Sequence, residues 1–366
     1  MSGSVLETIA LPATVPISWA YGAVVGARNW LYEHDALSVK KLPAAVISVG
    51  NLTVGGSGKT PLVAHIARHF LSQGRPVTVL SRGYRRASSG ATHLVVSDGR
   101  SILAGVDEAG DEPMELARQV PGLAVAVGAN RYEVGMELYR KRGPQIFILD
   151  DGFQHRRLAR NLDIVCIDAE EPEETLRMLP AGRLREPFAN LERAGALVWT
   201  RWREGSPSKS LESRVLRSLS YDRPIFRSIN SVSALHPLGN PKKTLPPDSL
   251  RGQDVGVLAA IARPERLRQD VEACGARVVW SCSKRDHHAW QPDEVRQLLR
   301  AAQSSGAKAV VTTGKDAVKM SLVGDVAVPL YQATLETRIL ESEAFEVLLD
   351  TMPGLEGPHS LNDDTA

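Results

Sequence analysis

The sequence is short of cysteine, of net charge and of long apolar runs, and each shortage narrows what the protein does. Only Cys166, Cys274 and Cys282 occur in 366 residues. An odd number with no CxxC pair argues against a disulfide framework and a zinc site, and leaves buried thiols in a reducing compartment. The formal net charge is +2, so the molecule as a whole is not built to coat nucleic acid, and any grip on phosphate must come from local arginines. No charged residue occurs from Thr8 to Ala27. Pro12 and Pro16 interrupt that run, however, leaving about a dozen residues for an unbroken helix before Arg28, against ~20 for a membrane span. No basic segment precedes it, which makes it a poor signal peptide. Trp19, Tyr21, Trp30 and Tyr32 suit a helix lying in a bilayer surface and equally one packed on the protein's own core.

What is present is a repeated alternation of strand and helix. Ala44–Gly50, Pro76–Ser81, Leu123–Val127, Gln145–Asp151, Leu162–Ala169 and Ala196–Thr200 are apolar runs with strand character, and amphipathic segments separate the first several. That pattern predicts a parallel sheet covered on both faces. Residues 203–224 predict a helix, Pro224–Leu238 an extended connection, and Pro237–Pro247 a loop. The rhythm restarts after Gln253 and runs to a last helix near Glu341–Leu349. The length suits two domains, and we expect an N-terminal helix over 1–35, a larger domain over 36–235, a smaller α/β domain over 236–353 and a loose tail over 354–366.

Val49–Pro61 reads VGNLTVGGSGKTP. A strand, a glycine-rich turn and a helix opening at Lys59 aim backbone N–H groups and a helix dipole at one point, where an anion is stabilised. The formal P-loop asks for glycine five residues before Gly58, where Thr53 stands. Gly55, Gly56, Gly58, Lys59 and Thr60 remain, so the phosphate cradle is expected over Thr53, Val54, Gly55, Gly56, Ser57, Gly58, Lys59 and Thr60. Lys59 would neutralise β- and γ-phosphate oxygens, and Thr60 would offer its hydroxyl to Mg²⁺. A second metal anchor is expected at a neighbouring strand end, and IFILDDGFQH supplies Asp150 and Asp151. Asp111 and Glu112 open a helix, where carboxylates are commonly caps. The Asp286–Trp290 run, DHHAW, carries adjacent histidines able to trade protons near neutral pH, and no metal-ligand spacing accompanies it. Arg82, Arg85 and Arg86, then Arg156 and Arg157, then Arg183 and Arg185, form three clusters able to face an anion.

Taken in order, NLTVGGSGKTP, LSRGYRR, AGDEP, LDDGFQHRRLARNLDIV, LPAGRLREP, PERL, DHHAW and TTGKDAVKM resemble the tetraacyldisaccharide 4'-kinases, the lipid A kinases of Gram-negative bacteria. The likeness runs from about Trp19 to Leu349, and the Thr53 irregularity is shared by that family. The resemblance implies an α/β fold of two α/β/α lobes with mainly parallel sheets, a P-loop NTPase-like N-terminal lobe, extended connecting strands and a cleft between the lobes. It implies ATP- and Mg²⁺-dependent phosphorylation of the 4'-hydroxyl of a tetraacylated disaccharide 1-phosphate. The work would be done at the cytoplasmic face of the bacterial inner membrane, with the N-terminal helix touching lipid. No nucleic acid and no obligate protein partner are implied. Asp111 matches the family's catalytic aspartate and His287 the histidine paired with it, with Lys59 completing the catalytic set. Asp150 and Asp151 match its metal-side aspartates. Glu112, Arg82, Tyr84, His155, Arg183 and Arg185 fall on the substrate side. The central expectation is that Lys59 and Asp111 serve one triphosphate terminus.

The sequence departs from the family in two places. Gly314 replaces the glutamate of TEKDAVK, and RPERL stands for NPERF, with Arg263 and Leu267 in the changed positions. Two other readings compete. A partition-type ATPase or nucleotide switch carries a signature lysine before the Gly-Gly pair, where Val54 stands here. A P-loop kinase of a soluble metabolite would not need the uncharged aromatic N-terminus.

Overall fold

The β-branched runs form the strands and the amphipathic segments the helices. The protein is described by a computed structural model covering residues 4–83, 93–240, 243–286, 288–320 and 327–355. The order begins α1 (Ser4–Glu33), β1 (Val46–Asn51), α2 (Lys59–Ser72), β2 (Val77–Ser81), β3 (His93–Asp98), α3 (Val106–Ala109), α4 (Asp111–Gln119) and β4 (Ala124–Gly128). It continues with α5 (Arg131–Arg142), β5 (Ile146–Asp150), β6 (Leu162–Asp168), β7 (Ala196–Thr200), α6 (Lys209–Leu216) and β8 (Ile225–Pro237). It ends with β9 (Asp254–Ala259), α7 (Pro264–Ala273), β10 (Arg277–Ser283), α8 (Pro292–Ser304), β11 (Ala309–Thr313), α9 (Gly314–Ala317), β12 (Leu330–Ile339) and α10 (Ser342–Asp350).

These elements group into two compact units, and a single cut near residue 235 does not describe them. Met1–Arg82, Gly128–Ile229 and Ile339–Ala366 make one, and Gly83–Val127 with Asn230–Arg338 make the other. The chain changes unit four times, once in the loop after β2 and then within β4, β8 and β12, so the last three crossings fall inside regular structure where no linker composition marks them.

In the first unit the strand order is β8-β7-β6-β1-β5-β2, parallel throughout. β1, β2, β5 and β7 are buried along their whole length, as expected where helices cover both faces. α2 turns Leu62, Val63, Ile66 and Phe70 inward, the spacing of one helical face. Gly50 is required in β1, because a Cβ there would lie 2.5 Å from the Cβ of Phe153.

α1 overturns the expected break. It continues through Pro12 and Pro16 as one helix of 30 residues. Each proline deletes one hydrogen bond of the ladder, and tertiary contacts hold the helix beyond them. The Ser18 hydroxyl accepts from the Ala181 N–H at 3.0 Å, the Tyr21 hydroxyl donates to the Arg185 carbonyl at 3.2 Å, and Arg28 pairs with the fully buried Glu186 at 3.0 Å. None of the described helices is long and apolar enough to cross a membrane.

In the second unit β10-β9-β11-β12 run parallel. α8 buries Val295, Leu299 and Ala302 beside them, and α7 buries Leu267 and Val271. Asp111 is the first residue of α4, and Gly110, at φ 88°, is the capping position expected of Asp111. The helix expected over 203–224 is confined to α6. β3 had no counterpart in the sequence reading.

Candidate active-site residues

In the first unit the glycine loop leaves the carboxyl end of β1, the central strand. Register pairs Val49 with Asp150, so β5 delivers its aspartates beside the start of the loop, at the edge where parallel sheets bind ligands. Gly58, at φ 75°, turns the chain into α2. The first helical residue, Lys59, sends its ammonium to Asn51 Oδ1 at 3.0 Å, Ser57 Oγ at 3.4 Å and Asp151 Oδ1 at 3.4 Å. Asp151, at φ 54°, also accepts both Arg185 terminal nitrogens at 2.8 Å. Burial opposes its charge, but Lys59 and Arg185 outweigh burial and hold the carboxyl well below the usual carboxylate range. Asp150 is buried and accepts from the Ser81 hydroxyl at 3.4 Å.

Two arginines expected to face an anionic substrate also engage the protein itself. Arg185 is held by Asp151 and by both oxygens of Asn51, the carbonyl at 3.2 Å. Arg183 donates from Nε and Nη2 to the Val54 carbonyl at 3.0 and 2.6 Å and from Nη1 to Glu171 at 3.1 Å, while its own carbonyl accepts from the Val54 N–H at 2.8 Å. Its guanidinium lies so close over Gly55 that a Cβ there would fall 2.1 Å from Nη2. These are rigid bidentate contacts of the kind arginine makes best, and here they fix the loop.

His155 sits among Arg82, Arg131, Arg157 and Arg160. Burial and those cations push it down to about 4, so it is neutral at pH 7 and accepts at Nδ1 from Arg131 at 3.3 Å. Asn51 and Thr200 were missed from sequence. Asn51 collects Lys59 and Arg185 on one amide oxygen and donates to the Thr53 carbonyl at 2.8 Å. The Thr200 hydroxyl, at the end of β7, donates to the Ser57 carbonyl at 2.8 Å.

The second unit holds the other expected carboxylates. Asp111 pairs with Lys319 at 3.0 Å, and Glu112 with Lys315 at 3.3 Å. Lys315 also reaches Asp286 at 3.4 Å. Thr313 caps α9 by accepting from the Asp316 N–H at 3.1 Å. Asp316 is fully buried and accepts from Trp290 Nε1 at 3.0 Å, Thr313 Oγ1 at 2.9 Å and the Ala260 N–H at 2.9 Å. The GKDAVK run is therefore a bracket. Asp316 anchors it, and Lys315 and Lys319 are presented to α4. Sequence reasoning gave those lysines no task, although their spacing of four on a helix start was a readable signal. His287 and Tyr84 lie outside the described residues, as do Arg85 and Arg86.

A parallel sheet whose central strand ends in a glycine loop, with lysine opening the next helix and aspartates on the adjoining strand, defines the class of P-loop phosphate-handling proteins. The family model for tetraacyldisaccharide-1-P 4'-kinase matches residues 10–353, and the chain belongs to that family. The tetraacyldisaccharide 4'-kinase of Geobacter sulfurreducens is 39% identical over 93% of this chain and 92% of its own length. That of Geobacter metallireducens is 36% identical over 94% and 99%. The crystal structure described as "apo" form LpxK from Aquifex aeolicus in complex with ATP is 31% identical, covers 94% of this chain and 99% of its own, and superposes with a TM-score of 0.72.

Proposed function

We propose that the protein transfers the γ-phosphate of ATP to the 4'-hydroxyl of a tetraacylated glucosamine disaccharide 1-phosphate, releasing ADP and the bis-phosphorylated lipid A precursor. The observation that carries this reading furthest is the Lys59 ammonium, fixed by Asn51, Ser57 and Asp151 at the first turn of α2. In the reaction the 4'-oxygen bonds to Pγ and the bond from Pγ to the β–γ bridging oxygen breaks. The electron pair leaves with ADP. The hydroxyl proton passes to the carboxylate of Asp111. Lys59 and the loop N–H groups oppose the charge on the β- and γ-phosphates. Lys319 pairs with Asp111, and His287 is the proposed partner of that aspartate. Glu112, Arg82, Tyr84, His155, Arg183 and Arg185 are proposed to meet the lipid disaccharide, the last two while also bracing the loop.

Mg²⁺ fits the donors available in the first unit. Thr60, Asp150 and Asp151 offer hard oxygens, and the Asp151 carboxyl is ionised. No group of three or more His, Cys, Asp or Glu forms a metal cage among the described residues, and a nucleotide-bound Mg²⁺ needs only one or two protein oxygens beside phosphates and water. When bound, it supplies charge neutralisation at the β- and γ-phosphates.

Attachment to the cytoplasmic face of the inner membrane is proposed from α1. One face of that helix docks through Ser18, Asn29 and Arg28. The opposite face exposes Ile17 at 57%, Trp19 at 74%, Val24 at 68% and Trp30 at 55%, and no exposed position from Pro16 to Leu31 is charged. That composition suits the headgroup boundary. The test is product analysis after incubation with ATP and either the acylated disaccharide 1-phosphate or its fully deacylated form. A new 4'-monoester on the acylated acceptor alone is expected. Equal phosphorylation of the deacylated sugar would favour a soluble-metabolite kinase.

A further inference from the structure

Gly314 opens α9 without the left-handed backbone that favours glycine, so its lack of a side chain calls for a steric reason. A Cβ at Gly314 would lie 2.5 Å from Glu115 Oε1, 3.1 Å from its Cδ and 3.2 Å from its Cγ. Glu115 stands one turn after Asp111 on α4, on the same face. Its carboxyl therefore fills the volume that a side chain at 314 would occupy. The resembled family carries a glutamate at this position, and here the space beside residue 314 is taken by a carboxyl from the facing helix.

We propose that Glu115 is a positioning residue for phosphoryl transfer, seated against Gly314 and acting through Asp111. The inference rests on the reading of Asp111 as proton acceptor. Lys319, 3.0 Å from Asp111, engages that carboxylate in an ion pair that competes with a proton. A second carboxylate one helical turn away opposes the lysine in its hold on the Asp111 carboxylate. The groups facing Glu115 are Asp111 and Glu112 of its own helix, Lys315 and Asp316 of α9, and Lys319 and Asp286 close by through their ion pairs. Burial raises the Glu115 carboxyl, Lys315 pulls it back, and Glu112, Asp316 and Asp111 raise it again, to about 7. Glu115 thus gains its charge as pH rises through neutrality, and its repulsion of the neighbouring Asp111 carboxylate grows over the same interval.

The experiment is the pH profile of kcat between about pH 5.5 and 9 with ATP and the tetraacylated disaccharide 1-phosphate. It compares wild type, Glu115→Gln, Glu115→Ala, the double variant Glu115→Ala with Gly314→Glu, and Asp111→Asn. Wild-type kcat should rise through about pH 7. Glu115→Gln should lose that inflection and run roughly tenfold slower above it, with the KM for ATP unchanged. The double variant returns a carboxyl to the same volume from α9 and should regain the inflection and most of the rate. A Glu115→Gln profile identical to wild type overturns the inference, as does a folded double variant no faster than Glu115→Ala. Should the double variant not fold, the Glu115→Gln profile decides. Asp111→Asn transferring at the wild-type rate would overturn the reading of Asp111 and this inference together, whereas an inactive Asp111→Asn beside an unaltered Glu115→Gln removes the Glu115 inference alone.

Discussion

Thr200→Val tests the claim that the glycine loop is held from a distant strand. Thr200 is 1% exposed, and its hydroxyl donates to the Ser57 carbonyl at 2.8 Å across 143 residues of sequence. Its Cβ stands 3.1 Å from where a Cβ on Gly58 would lie, so the side chain touches the turn into α2 as well as bonding the loop. Valine keeps that shape and removes the donor. Leaving a buried carbonyl without its partner costs about 1–3 kcal/mol. If the whole of that falls on the ordered loop, the fraction competent to bind drops, and the apparent KM for ATP rises by at most roughly 5- to 150-fold. Thr200→Ser keeps the donor and removes a methyl, worth about 0.8 kcal/mol of burial, and should stay within a few-fold of wild type. The assay is steady-state transfer at saturating lipid with ATP varied, on variants of matched melting temperature. A Val variant with wild-type KM beside a Ser variant with a raised one would refute the reasoning, because shape and not the hydrogen bond would then govern the loop.

Gly55→Ala should reduce ATP affinity at least tenfold, since the new Cβ displaces Arg183 from the Val54 carbonyl and the position has φ +98°, a backbone that costs an L-residue about 1–2 kcal/mol; nucleotide titration calorimetry checks it. His155 has its folded value pushed down to about 4 by burial and neighbouring arginines. Its stability contribution is therefore complete above the unfolded value near 6.5 and is lost as pH falls towards 4, so His155→Gln should make the loss of stability over that interval shallower in chemical denaturation. Replacing Trp19 and Trp30 together by serine should weaken sedimentation with anionic vesicles at least tenfold, given ~1.5–3 kcal/mol for full burial of a large apolar side chain, while transfer to detergent-dispersed acceptor is unchanged.

What the sequence disclosed was local. A β-branched run, three glycines and Lys59-Thr60 lie within about a dozen and a half residues, and the chemistry they imply needs no knowledge of distant contacts. Asn51 and Thr200 were not legible because their work depends on which strand ends adjoin, and parallel register brings together residues far apart in the chain. Arg183 and Arg185 were legible as cations but not as braces, since the Val54 carbonyl and Asp151 that capture them lie more than thirty residues away. The division into units escaped because both share one α/β rhythm and the chain changes unit within β4, β8 and β12. The continuation of α1 through two prolines was not legible from local propensity, and the contacts that dock the helix on residues 181–186 begin at Ser18, after both prolines.

The most direct measurement is single-turnover transfer of labelled γ-phosphate to the tetraacylated disaccharide 1-phosphate, made alongside nucleotide binding, for Lys59→Ala and Asp111→Asn. The account predicts that Lys59→Ala loses labelled lipid product and weakens ATP binding, while Asp111→Asn binds ATP normally and transfers at least a hundredfold more slowly. Wild-type rates of labelled lipid formation in a folded Asp111→Asn variant, or label released only as free phosphate by the unaltered protein, would contradict it.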